Sequence, residues 1–254
     1  MSVTMIEKRI NELLTKGEKL LIPYVMCGDG GYEKTRRLVR FLEEAGASLI
    51  EIGIAFSDPI ADGPSIQAAG QRALDGGVTL KKTLAFLKGF PPGGGVPRIM
   101  MTYLNPLVRY GTEAFFKDLK EAKISGVIIP DLPLEEYETL LPCAESHGIA
   151  VIPLVAPGTG RKRLEHILDK TRGFVYTVTV NGTTGARSGF DEAVLQRLEE
   201  IKKHTGMPVV AGFGVSTADH IRTLGAHCDG VVVGSKIVNL AHENRFEAIK
   251  ELMS

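Results

Sequence analysis

The chain has 254 residues, 44% of them hydrophobic and 24% charged, which is typical of a folded globular protein and excludes a disordered or low-complexity chain. Thirty basic and thirty acidic residues give a formal net charge of zero, and no segment concentrates one sign. A general nucleic-acid-binding protein, or one that binds an anionic membrane surface, would be expected to carry a basic stripe. We therefore expect neither partner.

The cysteines and the first residues predict a reduced, cytoplasmic location. Cys27, Cys143 and Cys228 are widely spaced, with no CxxC pair and no Cys/His cluster of zinc-site spacing. Residues 1–19 lack the apolar core of a signal peptide and have the pattern of an amphipathic helix. No apolar run approaches the roughly 20 residues that span a membrane.

Short β-rich runs alternate with amphipathic helical patterns along the whole chain. Eight strands are predicted: 20–25, 49–54, 98–103, 126–130, 149–155, 174–180, 208–214 and 230–234. Eight strand–helix units in about 250 residues match the α/β class and the (β/α)₈ or TIM barrel. A doubly wound sheet shows the same alternation, but usually has fewer strands and a GxGxxG fingerprint, which the first turn here lacks.

No linker divides the chain. The most breaker-rich stretch, PPGGGVP (91–97), falls between a helix and the third strand, where a barrel makes a turn. We therefore expect one domain, residues 1–254, with an extra helix before the barrel. In such a barrel the active site forms at the carboxyl ends of the strands. The connections after strand two (55–79) and strand six (181–191) are the long ones there.

The second strand, LIEIGI, is apolar except for Glu51. Alternation puts Ile50, Ile52 and Ile54 on one face and Glu51 and Gly53 on the other. If the isoleucines face the helices, Glu51 points into the barrel, where burial raises the pKa of a carboxyl and suits it to proton transfer. The alternative is a structural carboxylate paired with an inward Lys or Arg.

Two further carboxylates follow in the segment SDPIADGP. Asp58 and Asp62 each stand in a dipeptide that is common in turns, which is the simpler explanation for either alone. A second carboxylate on a loop over the barrel mouth would, however, share acid–base work with Glu51.

Glycine-bearing segments follow the last three strands: NGTTG, GFGVS and VGS (233–235). Glycines let backbone N–H groups approach a phosphate, and the residues after VGS begin the final helix, whose positive end would face an anion. A phosphate site after strands seven and eight is a recurring feature of this fold. The sequence predicts such a site.

The remaining chemistry is predicted by elimination. Lys236 is the one lysine near a strand end, so a Schiff-base mechanism is not expected. No His, Cys and carboxylate group is expected to converge on a metal, and the six histidines fall in helical stretches or the turns beneath them. The pattern favours metal-free acid–base chemistry on a small phosphorylated molecule.

The segment EIGIAFSDPIADGPSIQ resembles the signature of the tryptophan synthase α subunit, E-[LI]-G-[IVF]-P-[FY]-S-D-P-x-A-D-G-P-x-I-Q. The similarity extends over nearly the whole chain, through IPYVMCGDG, MTYLNPL, PDLPLEE, NGTTG, GFGVS and DGVVVGSKIV. This resemblance implies retro-aldol cleavage of indole-3-glycerol phosphate to indole and glyceraldehyde 3-phosphate. It also implies an α₂β₂ assembly with a β subunit that holds pyridoxal phosphate (PLP), and no cofactor in this chain.

Carried over by motif, Glu51 and Asp62 are the catalytic pair. The resemblance further implies an indole pocket and its supports, with Thr184 bonding Asp62 when the loop closes, and a phosphate cradle. The pocket and support residues are Tyr24, Met101, Tyr103, Asp131, Tyr176, Thr184 and Phe213. The cradle residues are Gly185, Gly214, Gly234 and Ser235.

The sequence departs from the family pattern at several positions. Ala55 stands where proline is usual, in a region that faces the β subunit in the family. Asn181 and Thr183 differ from the commoner choices in loop six, and Lys236 replaces a frequent alanine. Lys236 could add positive charge beside the phosphate or simply be a solvated helix-start lysine. Two other functions remain open: a related barrel such as indole-3-glycerol phosphate synthase, and a non-catalytic subunit that binds a β-type partner.

Overall fold

The computed structural model describes residues 4–90, 95–170, 172–179 and 190–253. Within them, nine parallel strands form one sheet. The strands are β1 (Leu20–Met26), β2 (Ile50–Gly53), β3 (Arg98–Met101), β4 (Ile124–Ile128), β5 (Ala150–Ile152), β6 (Leu154–Val155), β7 (Val175–Val178), β8 (Val209–Gly212) and β9 (Gly230–Val233).

The predicted barrel is confirmed, with one irregularity in its fifth strand. The strands pair in the order β5-β4-β3-β2-β1-β9-β8-β7-β6. β5 and β6 are the two halves of the predicted strand 149–155, separated at Pro153, which has no N–H to donate. The first half pairs with β4 and the second with β7, so this broken strand completes the ring.

Helices surround the strands. In the described part of the chain they are α1 (Met5–Thr15), α2 (Tyr32–Glu44), α3 (Pro64–Asp75), α4 (Leu80–Lys88), α5 (Leu104–Tyr110), α6 (Thr112–Glu121), α7 (Tyr137–His147), α8 (Arg161–Lys170), α9 (Glu192–His204), α10 (Ala218–His227), α11 (Ser235–His242) and α12 (Phe246–Met253). A 3-10 turn, Leu134–Glu136, precedes α7. None of these helices combines the length and the apolar character that a membrane span requires.

The predicted extra helix, α1, lies across the amino end of the barrel. A reciprocal capping box between Thr4 and Glu7 fixes its start. Its apolar face is buried, and a Cβ at Gly126, near the start of β4, would lie 2.7 Å from the Ile6 Cδ1 atom. Gly126 is therefore the position at which β4 leaves room for α1, and that end of the barrel is filled with side chains.

Successive side chains along the strands belong to two different hydrophobic clusters, as the alternation of a β-strand predicts. The inner cluster fills the barrel and includes Ile22, Tyr24, Ile99, Tyr176 and Val210. The outer cluster lies between strands and helices and includes Ile50, Ile52, Ile54, Val209 and Phe116. The isoleucines of β2 belong to the outer cluster, so Glu51 faces inward as expected.

Two details of the helical layer correct the sequence interpretation. The long connection 55–79 is only partly a loop, because Pro64–Asp75 forms α3, with Pro64 in its first turn and Ile66, Ala69 and Ala73 on its buried face. The helix that follows VGS is α11, and it is not the final one, since the chain turns at Asn244 (φ 57°) and continues as α12.

Candidate active site

A cavity of about 510 Å³ opens at the carboxyl ends of the strands. Its lining comes from β1, β2, β3, β7 and β9 and from the segments after β2, β8 and β9. The lining residues are Tyr24, Glu51, Asp62, Gly63, Pro64, Ser65, Ile66, Met101, Tyr176, Phe213, Gly214, Val215, Ser216, Thr217, Val232, Gly234, Ser235, Lys236 and Asn239. Nine of the thirteen residues predicted for the site are among them.

Glu51 is held inside the barrel, next to Tyr24 of β1 and Ile99 of β3 in the strand register. Its side chain is 1% exposed, and neither carboxylate oxygen has a hydrogen-bond partner among the described residues. The structural alternative, a pair with an inward Lys or Arg, therefore finds no support in these residues. Burial, reinforced by the Asp62 carboxylate, raises the pKa of Glu51 to about 8.

Two tyrosines form the walls beside Glu51, and each occupies the space above a strand glycine. A Cβ at Gly53 would overlap the hydroxyl and ring of Tyr24, and one at Gly212 would overlap the ring of Tyr176. The space that Gly53 leaves beside Glu51 is thus filled by Tyr24. Both phenols are buried, which raises the pKa of each well above its ordinary value, so both stay neutral.

Asp62 reaches the same cavity from the loop between β2 and α3. Asp62 is 8% exposed. Gln67 Nε2 donates to the Asp62 carbonyl (2.8 Å), and the Asp62 N–H donates to Pro59 (3.1 Å), so the backbone is tied to the start of α3. Burial raises the pKa of Asp62 to about 6, and a hydrogen bond donated by Tyr103 opposes part of that shift.

Tyr103 and Asp131 are not among the lining residues of the cavity, and a place for Tyr103 in the indole pocket stays a prediction. The Tyr103 hydroxyl accepts from the Ala61 N–H at 3.0 Å and donates to Asp62, so it holds the loop that carries Asp62. Asp131 accepts from the Leu104 N–H at 2.8 Å and caps α5, which begins directly after Tyr103. Tyr103 thus braces the loop that carries Asp62, and Asp131 braces the start of α5.

Two carboxyls with separated pKa values therefore face one cavity. At neutral pH the pKa of about 8 leaves Glu51 mostly protonated, whereas the pKa of about 6 leaves Asp62 mostly ionised. A protonated and an ionised carboxyl in one site can divide acid and base roles.

The raised pKa of Glu51 predicts a pH-dependent stability cost. The folded chain binds more protons at Glu51 than the unfolded chain between about pH 4.5 and about pH 8, so the free energy of unfolding falls as pH rises through this window. Glu51→Gln has no such titration. The stability of the variant relative to the wild type should increase by on the order of a few kcal/mol across the window, measured by urea unfolding. A difference independent of pH would contradict the raised pKa.

The segment after β8 turns sharply at the cavity edge. Phe213 (φ 79°) and Gly214 (φ 76°) both adopt left-handed backbone conformations, which is uncommon for phenylalanine and costs free energy. The Thr179 hydroxyl is 2.8 Å from the Gly212 carbonyl and 2.6 Å from the Phe213 carbonyl, and fixes this turn from the neighbouring strand. The turn presents Gly214 and the following residues to the cavity.

The segment after β9 offers a helix terminus to the same part of the cavity. α11 begins at Ser235, and its N-cap residue, Gly234, has no side chain that could cap the first N–H groups of the helix. The first N–H groups of a helix have no partner inside the helix and attract anions. A Cβ at Gly234 would meet only ordinary contacts (3.8 Å or more), so packing does not demand glycine there. A ligand that approaches the backbone closely would explain a glycine at this position. Lys236 is exposed and also lines the cavity.

Several lining residues were not predicted from the sequence. Ile66 and Asn239 project from α3 and α11, whose positions relative to the strands the periodicity does not give, and Ser216 and Thr217 precede α10. His220 is buried, and its Nδ1 atom lies 3.3 Å from the Gly214 carbonyl oxygen. In the sequence, the segment GFGVS is the feature that indicates polar groups at this edge of the cavity.

The remaining sequence predictions have separate outcomes. Thr184 and Gly185 lie outside the described residues, as do Asn181 and Thr183. Ala55 is 8% exposed and packs in the inner cluster, so its own side chain forms little outer surface. Of the described groups that could ligate a metal, one set does converge, against expectation: Glu113, Cys143 and His147, on α6 and α7. None of the three lines the cavity.

The sequence of the chain is similar to that of tryptophan synthase alpha chains. The family model for the tryptophan synthase alpha chain matches residues 10–254. A tryptophan synthase alpha chain from Bacillus cereus is 48% identical over 246 residues, 97% of this chain and 95% of that protein. A tryptophan synthase alpha chain from Bacillus thuringiensis is 47% identical over the same shares of both chains.

Solved structures have the same fold. A structure from Aquifex aeolicus matches with a TM-score of 0.91 and 36% identity, and covers 99% of this chain and 96% of its own. Tryptophan synthase from Mycobacterium tuberculosis matches with a TM-score of 0.91 and 32% identity over the same shares. By sequence over nearly its full length, and by fold, the chain belongs to the tryptophan synthase alpha chain family.

Proposed function

We propose that this cavity cleaves indole-3-glycerol phosphate, with Glu51 and Asp62 as its catalytic residues. The chain's family is that of a lyase which acts on this substrate. The observation that carries the residue assignment is Glu51 itself: a fully buried carboxyl without a hydrogen-bond partner among the described residues, in one cavity with a second carboxyl. A buried, unsatisfied carboxyl costs stability, which a catalytic role explains.

The chemistry needs one proton gain and one proton loss. Indole leaves as a carbon leaving group only after its C3 atom is protonated, and the side-chain hydroxyl must lose its proton as the C–C bond breaks. Protonated Glu51 gives its proton to C3, and the resulting carboxylate then takes the hydroxyl proton as indole and glyceraldehyde 3-phosphate form. Glu51 returns to its starting state, and no proton is consumed.

Asp62 acts on the other side of the reacting ring. Its carboxylate accepts a hydrogen bond from the indole N–H and stabilises the positive charge that C3 protonation places on the ring. A pKa of about 6 keeps Asp62 ionised for this role at neutral pH. Tyr103 and Gln67 hold the side chain and backbone of Asp62 in place before substrate arrives.

The phosphate binds opposite, at Gly214, Gly234 and Ser235. We expect Ser235→Asp to weaken glyceraldehyde 3-phosphate binding at least tenfold, a loss of about 1.4 kcal/mol or more, since it places a like charge where the phosphate sits. Aspartate in the first turn of a helix favours folding, so α11 should remain intact. Calorimetry measures the effect, with Ser235→Ala as a neutral companion that should lose less. Equal affinity in Ser235→Asp and wild type would place the phosphate elsewhere.

The partner is the tryptophan synthase β subunit, with PLP bound there and no cofactor in this chain. Two large apolar side chains support a docking surface beside the cavity mouth: Ile60 (75% exposed) in the Asp62 loop and Val108 (58% exposed) on α5. The bond from the Ala61 N–H to Tyr103, which immediately precedes α5, joins these two segments. Contact with the β subunit at this surface would therefore act on the loop that positions Asp62.

Three finer parts of the proposal depend on the sequence and the family. We infer an α₂β₂ assembly, a single domain over residues 1–254, and a cytoplasmic location, the last in keeping with three free cysteines. Light scattering of the mixed subunits measures the stoichiometry.

The proposed reaction is tested by indole release from indole-3-glycerol phosphate by this chain, with and without a cognate β subunit. Phosphate binding without indole release under both conditions would favour a non-catalytic subunit.

A further inference from the structure

The group formed by Glu113, Cys143 and His147 lies on the outside of the barrel, where α6 packs against α7. Glu113 is in the first turn of α6, and Cys143 and His147 are four residues apart on α7. A spacing of four residues puts two side chains on the same face of a helix. One potential ligand atom from each residue lies within 4.8 Å of the other two.

The spacing of the donor atoms fits a small tetrahedral cation site. Cys143 Sγ lies 3.1 Å from Glu113 Oε2, and His147 Nε2 lies 3.3 Å from Glu113 Oε1. Zn²⁺ bonds of about 2.0–2.3 Å to N, O and S place neighbouring ligand atoms about 3.3–3.8 Å apart. A cation between the three groups would thus require only small side-chain movements.

The contacts of His147 direct its Nε2 atom toward the Glu113 carboxylate. The Nδ1 atom lies 2.9 Å from the Cys143 carbonyl oxygen and 3.1 Å from the Ser146 hydroxyl oxygen, and that hydroxyl donates to the same carbonyl. These contacts fix the orientation of the ring. The Nε2 atom lies 3.3 Å from Glu113 Oε1, a separation that suits two ligand atoms of one tetrahedral metal ion. A backbone carbonyl that fixes the ring through the other nitrogen is also typical of metal-bound histidine.

We propose that Glu113, Cys143 and His147 bind a borderline-soft divalent cation of the Zn²⁺ type, with water as the fourth ligand. The mixed thiolate, imidazole and carboxylate donors favour such an ion over Mg²⁺ or Ca²⁺. On binding, the Cys143 thiol gives up its proton to solvent, and the proton-donating contact from Sγ to Glu113 is replaced by two bonds to the metal. The Glu113 side chain is 76% exposed and that of His147 14%, so the site opens to solvent on the α6 side. The metal would link α6 to α7.

Cobalt(II) titration of the whole chain tests the proposal, because thiolate-to-Co²⁺ charge transfer absorbs in the near ultraviolet. Cys27 and Cys228 are fully buried, which makes Cys143 the accessible thiol. We expect this absorption to saturate at one Co²⁺ per chain, to be displaced by Zn²⁺, and to be lost in Cys143→Ser. Glu113→Gln and His147→Gln should each weaken binding at least tenfold.

The matched control is Glu145→Gln, the same substitution at an exposed position of α7 outside the cluster, which should leave Co²⁺ affinity unchanged. Absence of the charge-transfer band in the wild type would overturn the proposal. A band that persists in Cys143→Ser would overturn it as well. Neither result depends on cleavage activity, since none of the three residues lines the cavity.

Discussion

Replacement of Glu51 by glutamine is expected to lower the turnover of indole-3-glycerol phosphate by about 10³-fold or more. General acid–base groups contribute roughly 10²–10⁴-fold, and Glu51 is proposed to serve two proton transfers in one turnover. Glutamine has nearly the same shape but neither gives nor takes a proton. The loss should appear in kcat, measured by indole release.

The fold and phosphate binding should survive this change. Glu51 has no hydrogen-bond partner to lose among the described residues, and its burial already disfavours the charge. Glyceraldehyde 3-phosphate should therefore bind Glu51→Gln within about twofold of wild type. Glu247→Gln, on the exposed face of α12, is the matched control and should keep full activity. More than a tenth of wild-type turnover in Glu51→Gln would rule out the assignment.

Replacement of Asp62 by asparagine should lower kcat/KM by about 10²-fold or more. Asparagine keeps the size of the side chain and leaves the backbone bonds to Gln67 and Pro59 unchanged, so the loop should hold its position. It cannot, however, supply the negative charge that stabilises a protonated indole. Removing a preorganised charged group from a buried site typically costs this much.

Asp58→Asn provides a control within the same loop. Asp58 is exposed, accepts from the adjacent Ser57 hydroxyl, and does not line the cavity. The sequence alone does not separate these two turn aspartates, but the structure does. Asp58→Asn should retain nearly full kcat/KM, and a comparable loss in both variants would mean that the loop as a whole, rather than the Asp62 carboxylate, is responsible.

The barrel and the orientation of Glu51 could be predicted from the sequence because both follow from period-two alternation. In LIEIGI the three isoleucines share one face, and since that face packs against the helices, Glu51 faces inward. The helical pattern of 64–75 was harder to recognise, because small residues make most of the buried face of α3. Its Pro64 start and Gly76 end are the signals that indicate it.

The parts that could not be predicted depend on contacts between elements. That Tyr24 fills the space over Gly53, or that Asp131 caps α5 instead of touching the cavity, follows from strand register and loop course. The same holds for Glu113, which is 30 residues from Cys143 in sequence and reaches it only because α6 packs on α7. Sequence motifs for zinc sites, such as CxxC, depend on short spacings along the chain, so they do not detect ligands that helix packing brings together.

The most direct test of the proton-transfer account is the pH dependence of kcat/KM for indole release, from about pH 5 to about pH 10. With Asp62 ionised and Glu51 protonated in the active form, the profile should be bell-shaped, with limbs near the two pKa values of about 6 and about 8. The substrate phosphate also titrates near pH 6, so the acid limb belongs to Asp62 only if Asp62→Asn changes it. We expect kcat/KM to fall above about pH 8, as Glu51 loses its proton, and a kcat/KM that keeps rising there would contradict the role of Glu51 as the acid.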